Sequence, residues 1–416
     1  MSKERPSSAG SVVVHWVNQY AVTPDQPGGT RHHEMAAALR DRGYDVRIVA
    51  SDLNLTTRAY SRRRDAEDRR AIAEDVAGVP FTWLPAGRYD RNDWRRALSM
   101  ATFAWHVLLF LLRTVRRGDV VIGSSPQLLA AGAARVAALL RRGRFVLEVR
   151  DLWPESLTGV SGKSSPMAII LRIIADALYR TSRAIVILAE GSREPIVRHG
   201  GRPTRIVFVP NGVDVEAFAA TTAELPPDLS WVDEQPTFVY AGAHGPANGL
   251  DLVLEAAERL QHRGQDQLRI LLVGDGPAKA DLQRDAGRRA LTNVVFRDPV
   301  PKQVIPAILQ RCAGGLMVLK DVELFHYGVS PNKLFDYLAC DLPVVTNVPG
   351  DVARTVEDAQ AGIVVPPGDP EALADAMVAI AAGEAASGSG ARYVKEHRDR
   401  RLLADRLAWV VDAVAR

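Results

Sequence analysis

Residues 330–337 read SPNKLFDY. Ser330 is a good N-cap and Pro331 suits a first helical position, so the pattern predicts a helix start here. Lys333 then falls in the first turn, where the partial positive charge of the helix dipole disfavours a cation. The lysine makes sense if an anion sits between it and the unpaired backbone N–H groups of the helix tip. Ser330, Asn332 and Lys333 would together offer a diphosphate backbone donors, a side-chain amide and an ammonium. Asp336, one turn further on, could accept hydrogen bonds from two vicinal hydroxyls such as those of a ribose. Cation for phosphate and acid for sugar is what a nucleoside diphosphate needs. The plainer alternative is a local Lys333–Asp336 ion pair, contributing roughly a few tenths of a kcal/mol.

Three other stretches could bear on the same chemistry. LLVGDGP (271–277) ends an apolar run in Gly274 and Gly276, glycines that would let a ligand approach the backbone. PGGT (27–30) sets Gly28 and Gly29 before a helix start, where a donor phosphate or an acceptor could lie. Each is equally a simple tight turn. EVRDLWPES (148–156) puts Arg150 and Asp151 at a strand end, and Asp151 could accept a proton from, or orient, an attacking hydroxyl. The alternative is an Arg–Asp pair holding a loop.

These residues need a scaffold, and the hydrophobic pattern describes one. Short apolar runs at 11–17, 45–51, 119–125, 144–151 and 184–190 alternate with helix-like segments. The pattern restarts at 237–243, where a helix follows with Leu250, Val253, Leu254, Ala257 and Leu260 on one stripe. Further strands are expected at 268–276, 293–300, 314–320 and 342–348. Such alternation implies parallel sheets covered on both faces. The expected organisation is α/β, with two doubly wound Rossmann-like domains facing a central cleft. They occupy residues 1–216 (acceptor side) and 237–390 (nucleotide side), joined by a linker at 217–236. A terminal helix at 391–416 is expected to pack back toward the first domain. Ligands on such sheets lie beyond the carboxyl ends of the strands.

Charge divides the chain in the same place. Residues 1–210 carry 32 Lys and Arg against 20 Asp and Glu, whereas the remainder carries 20 against 29. A basic half could face an anionic membrane, a phosphorylated substrate or nucleic acid. The run ATFAWHVLLFLL (101–112) is flanked by Arg95, Arg96, Arg113, Arg116 and Arg117. By itself it is shorter than the ~20 residues of a bilayer span, which leaves a core helix or one lying in a membrane surface. Cys312 and Cys340 form no CxxC, which argues against a disulfide framework or structural zinc and fits a reducing cytosol. The amino terminus does not read as a signal peptide.

PNGVD (210–214), LLVGDGP, NVVF…DPVPKQVIP (293–306) and SPNKLFDYLA…LPVV (330–345) resemble, in that order, the C-terminal half of the retaining glycosyltransferases of family four. That family has the B-type, double-Rossmann fold. The N-terminal half is also similar, in GGTRHHEMAAALRDRGYDVRIVAS (28–51), VVIGSSPQLLAAGAARVAALLRR (120–142) and VLEVRDLWPESL (146–157). The last two look most like the branch building bacterial O-antigen and capsule sugars, including fucosaminyltransferase-like enzymes. The resemblance implies that Lys333 contacts the donor diphosphate and that Asp336, as the second acid of a Glu-x7-Glu motif, holds the ribose. It also implies that Arg297 to Val300 frame the base, that Gly28 and Gly29 form the phosphate and acceptor loop, and that Arg150 and Asp151 line the reaction centre. Two positions depart from the family. The first acid of the motif falls at Gly328, and Ala243 and Asn248 stand near the positions of a diphosphate-binding Arg and Lys, with His244 a possible substitute.

The function so implied is retaining transfer of a hexose-type sugar from a nucleoside diphosphate sugar, with uridine the default base. The acceptor would be a lipid-linked (polyprenyl-diphosphate) or polysaccharide glycan. Lys333 and Asp151 would be the catalytic residues, without an obligatory metal or other cofactor, and nucleic acid is not an expected partner. The enzyme would be cytoplasmic, at the inner face of the plasma membrane. The rivals are a sugar-nucleotide 2-epimerase of the same fold, a nicotinamide oxidoreductase, whose tight glycine loop after the first strand is missing, and a non-enzymatic, membrane-associated glycan-binding module.

Overall fold

The computed structural model describes residues 12–26, 28–55, 57, 59–63, 65, 68–89, 94–155, 166–220, 223–323, 325, 328–384 and 388–416, with the side chains of 217 and 219 left aside. Parts of the quoted motifs at 27 and 156–157, most of the amino-terminal stretch and part of the linker lie outside the described residues.

The first domain is built on an eight-stranded sheet of β1 (Val13–Val17), β2 (Asp45–Ala50), β3 (Ile72–Val76), β4 (Val79–Trp83), β5 (Val120–Ser124), β6 (Arg144–Val149), β7 (Ala184–Ile187) and β8 (Ile206–Phe208). Their order across the sheet is β3-β4-β2-β1-β5-β6-β7-β8, parallel except for the β3–β4 hairpin. The second domain has six parallel strands, β9 (Thr237–Ala241), β10 (Arg269–Val273), β11 (Val294–Arg297), β12 (Gly314–Met317), β13 (Val344–Thr346) and β14 (Gly362–Val364), ordered β11-β10-β9-β12-β13-β14. In each sheet the chain moves outward from its first strand, then returns to that strand's other side. The resulting switch points lie between β1 and β5 and between β9 and β12, the places where such sheets hold ligands.

The central strands explain themselves. β5, VVIGS, is buried along its whole length, as a parallel strand covered on both faces must be. Trp16, Ile48 and Phe81 face the Arg31–Asp41 and Arg400–Ala415 helices, while Val17, Val121 and Leu147 face Trp94–Thr114, Leu128–Leu140 and Pro166–Thr181. The hairpin was not anticipated. Ala77 and Gly78 both have positive φ, the geometry of a two-residue hairpin turn, and IAEDVAGVPFTW carries a weak alternating pattern around them.

Two expected boundaries differ. The 217–236 linker is partly structured, since Phe218, Leu229 and Val232 are buried in the second domain's core. Its acids and prolines masked three apolar anchors. The terminal segment is two helices. Gly390–His397 packs on the Asn332–Ala339 helix, whereas Arg400–Ala415 packs on Arg31–Asp41, inserting Leu403, Leu407 and Val411 into the first domain's core. Asp399 caps the second of these, its carboxylate accepting from the Arg401 N–H at 2.7 Å.

The 101–112 run belongs to a longer helix, Trp94–Thr114, of 21 residues. Length and composition alone would let it cross a bilayer, and it is the one such helix among the described residues. Phe103, Val107 and Leu111 instead bury one stripe in the core against Leu128–Leu140, at roughly 1.5–3 kcal/mol for each large side chain. The opposite stripe, with Trp94, Leu98 and Trp105, is exposed. The helix is therefore core on one side only.

Candidate functional site

A cavity of about 380 Å3 opens where the carboxyl ends of the two sheets meet. The first domain contributes Gly28 and Gly29, in the loop after β1. The second contributes the loops after β9 (Gly242, Ala243), β10 (Gly274, Asp275) and β11 (Pro299, Val300, Lys302), and the start of the Asn332–Ala339 helix.

That helix starts two residues after Ser330. Pro331 occupies the N-cap position and no side chain caps the tip. The Ser330 hydroxyl accepts from the Asn211 N–H at 2.9 Å, and its carbonyl accepts from the Asn211 side-chain amide. The tie to PNGVD of the first domain outcompetes the local cap, and Ser330 does not line the cavity. Asn332 does. Its Oδ1 accepts from Arg400 Nη2 at 3.2 Å, and a Cβ on Gly29 would come within 2.8 Å of its Nδ2.

Lys333 projects into the cavity. Its Nζ stands 3.7 Å from the centroid of the Tyr240 ring, a cation–π contact, in space that a Cβ on Gly242 would invade at 3.0 Å. Among the described residues it has no acidic partner, and burial pushes its ammonium down from 10.5 to about 7. A cation held without a counter-ion beside an uncapped helix tip is poised to accept an anion.

Asp336 also lines the cavity, but its ion pair is with Lys302 and not with Lys333. Burial raises its carboxyl, an effect that Lys302 opposes. Lys302 binds Oδ2, which leaves Oδ1 to meet a hydroxyl. Glu34 lies close by. Burial would raise its carboxyl, yet Arg400 (2.6 Å) and Lys302 hold it below the ordinary value. Arg400 thus joins the terminal helix to Glu34 of the first domain and to Asn332 of the second.

The other predicted residues divide. Val300 and Gly274 line the cavity. Gly276 does not, because the space a Cβ would need there is filled by the His244 backbone at 2.5 Å. A Cβ on Gly274 would lie 1.9 Å from the Gly242 carbonyl, so both glycines are required by chain packing against the 242–244 loop, and only Gly274 also borders the cavity. His244 is a correction as a cation substitute. It is fully buried between Tyr240 and Phe296, it does not line the cavity, and burial pushes its imidazole down to about 4, so it stays neutral. Arg297 is likewise drawn away, ion-paired to Asp228 at 2.8 Å. Arg150 and Asp151 stand at the carboxyl end of β6, their backbone N–H groups donating to Ser125 Oγ, outside the residues that line the cavity. At Gly328 φ is +131°, a conformation that strains any residue with a side chain, and a Cβ there would also force Asp351 Oδ2 aside, so the backbone as it stands favours glycine over the acid of the motif.

Beneath the loop after β1 runs a buried polar network. Arg31, fully buried, donates to Glu148 (3.1 Å) and to the carbonyls of Val209 and Pro210. Glu148 also accepts from Ser124 Oγ (2.6 Å) and lies 3.3 Å from His32. Burial alone would raise Glu148, but Arg31 and His32 hold it well below the carboxylate range. The network fixes the start of the Arg31–Asp41 helix, and with it Gly28 and Gly29, against the segment entering the second domain.

Sequence reasoning missed Lys302 and Arg400. Lys302 carried a signal, standing between the end of β11 and a helix in a proline-rich loop. Arg400 carried none, because only the packing of the last helix brings it to the site. Among the described residues no group of three or more His, Cys, Asp or Glu is arranged to hold a metal ion.

Two family models match the two domains, a glycosyl transferase 4-like domain over residues 28–212 and glycosyl transferases group 1 over residues 235–382. The chain is 26% identical over 347 residues to WcaI of Escherichia coli (strain K12), a glycosyl transferase assigned to colanic acid biosynthesis, covering 79% of this chain and 81% of that protein. Among solved structures it superposes on sucrose-phosphate synthase from Thermosynechococcus elongatus with a TM-score of 0.73 at 15% identity, covering 97% of this chain and 98% of that one. It also superposes on Anabaena HepE in complex with UDP-glucose, with a TM-score of 0.69 at 15% identity, covering 96% and 99%. These likenesses show the fold.

Proposed function

Because the chain belongs to the group 1 glycosyltransferases of B-type fold, we propose that it transfers a hexose-type sugar, with retention at the anomeric carbon, from a UDP-sugar to a lipid-linked or polysaccharide acceptor in bacterial surface-glycan synthesis. The observation that carries this reading is the Lys333 ammonium, without an acidic partner in the interdomain cavity and next to an uncapped helix tip. The relation to WcaI supports the surface-glycan assignment, and the bound nucleotide sugar of HepE supports the donor class.

As the bond to C1 breaks, negative charge gathers on the departing diphosphate. Lys333 and the helix-tip amides stabilise that charge more in the transition state than in the ground state. The departing phosphate oxygen takes the proton of the incoming hydroxyl on the same face, so no protein nucleophile and no metal enters the proposal. Asp336 Oδ1 holds the ribose hydroxyls while Lys302 neutralises the other oxygen. Val300 packs on the base. Gly28 and Gly29 let the diphosphate approach the first domain, and Asp151, on the acceptor side, orients the incoming hydroxyl. The enzyme works at the cytoplasmic face of the plasma membrane.

The test is a panel of UDP-sugars with and without a polyprenyl-diphosphate-linked glycan. The expected result is UDP release that depends on acceptor, with a product of the donor's anomeric configuration. An epimerised sugar nucleotide formed from donor alone would replace this reading with the 2-epimerase, and glycan binding with no nucleotide released would replace it with a binding module.

A further inference from the structure

We infer that the outer face of the first domain's three-helix layer docks on an anionic lipid bilayer, with the amino ends of the Trp94–Thr114 and Pro166–Thr181 helices seated in the headgroup region. This deepens the proposed function, on which it rests only for the view that the acceptor is lipid-borne.

The face exposes large apolar side chains on both of its flanking helices. Ile169, Ile170 and Ile173 are 63%, 50% and 64% exposed, and Trp94 and Trp105 are 68% and 58% exposed. Both helices bury their other stripe in the domain core, so among the described residues these side chains are left facing outward. The layer is also basic. Its three helices carry Arg95, Arg96, Arg113, Arg135, Arg172 and Arg180 against Asp176. Trp94–Thr114 and Leu128–Leu140 contain no acid, and Asp176 of the third helix lies among Arg172, Arg180 and His199. Arg95 is exposed at the amino end of the first helix, its guanidinium over the Trp94 ring, while Arg113, Arg116 and Arg117 are exposed at the carboxyl end, roughly 30 Å away along the axis. Apolar side chains with tryptophan, on helices that carry more arginine than acid, match an interface of acyl chain and phosphate. A two-fold contact with a second copy would set these basic faces against each other. The opposite layer makes the contrast. Arg400–Ala415 exposes Trp409 at 64%, but beside Asp405, Arg406 and Asp412, with no excess of positive charge around it.

The topology gives the docking a direction. Each of the three helices returns antiparallel to the strands it connects, so its amino end lies at the carboxyl end of the sheet. Trp94, Leu98, Ile169, Ile170 and Ile173 fall in the first two turns of their helices, on the side where the cavity opens. A bilayer on this face would hold a lipid-linked acceptor at the rim of the cleft.

The experiment is flotation of the full chain with phosphatidylcholine vesicles, with and without phosphatidylglycerol, at low and high salt. Binding should require the anionic lipid and weaken with salt. I170D/I173D should lower it by at least about tenfold, and R95Q, at the amino end of the first helix, by about fivefold. W409S should leave it unchanged. Circular dichroism and UDP binding equal to wild type show that each variant is folded with its site intact. Failure to float with anionic vesicles overturns the docking, as does equal loss with W409S. So does a concentration-dependent dimer that I170D/I173D disperses. UDP binding with no flotation sinks the docking and leaves the transferase standing, whereas flotation with no nucleotide binding does the reverse.

Discussion

Replacing Lys333 with alanine removes the one cavity cation that, among the described residues, lacks a protein counter-ion. Two unit charges about 4 Å apart at an effective dielectric of about 20 attract by about 4 kcal/mol. Lys302 and the helix-tip amides remain, and water enters the space beside Tyr240, so we expect about 2.7 kcal/mol of that to be lost from the transition state. This is about a hundredfold in turnover, within the usual range for losing one charge-stabilising donor. Burial supplies a second, sharper readout. With its pKa displaced from 10.5 to about 7, the free enzyme holds the ammonium below pH 7 and releases the proton above it. Donor affinity should therefore be full on the acid side and fall by up to about tenfold per pH unit above about pH 7, with proton uptake on binding. Lys333→Ala should be weaker throughout and flat over the same range. The sign for folding is the reverse. Between 7 and 10.5 the unfolded chain binds more protons, so this residue's contribution to stability rises with pH. Calorimetric titration of UDP-glucose in buffers of differing ionisation enthalpy measures affinity and proton uptake together. Near-normal turnover in Lys333→Ala, or a wild-type affinity that does not decline above neutrality, would refute the reasoning.

Lys302→Ala strands the Asp336 carboxylate in a largely buried site. The expected cost is about 2 kcal/mol, below the figure for a fully buried pair, with a raised KM for donor; adding Asp336→Asn should restore the melting temperature but not the KM. Gly274→Ala would put a methyl 1.9 Å from the Gly242 carbonyl and should cost on the order of 3 kcal/mol in urea unfolding. Gly43→Ala, also at positive φ but with nothing within 4 Å, should cost only about 1 kcal/mol. Glu148 has a depressed carboxyl, so its pairing with Arg31 stabilises the fold above the ordinary carboxylate pKa and is lost as pH falls. Glu148→Gln should lower the melting temperature at neutral pH and flatten its decline in acid.

Strands buried on both faces are legible because burial demands unbroken apolar runs, as in VVIGS, and ten of the fourteen strands were read that way, most of them one to three residues too long. Lys333 was legible for a similar local reason, a cation set against its own helix dipole. The β3–β4 hairpin and the three-residue strands β8 and β14 were not, because the hairpin alternates only weakly and apolar runs as short as IVFV and IVV do not by themselves distinguish a strand from a loop. What the sequence by itself determined is the alternation of strand and helix, the two-domain plan and the family, all of which follow from patterns within a few turns of chain. Only the tertiary structure decided which groups meet. It paired Asp336 with Lys302 and not with its neighbour Lys333, spent Ser330 on Asn211, buried His244 where it stays neutral, brought Arg400 from the last helix to Asn332, and left three isoleucines facing outward. The physical reason is that charge and hydrogen-bond partners are chosen by distance in space, and burial then sets what each group can hold as a proton.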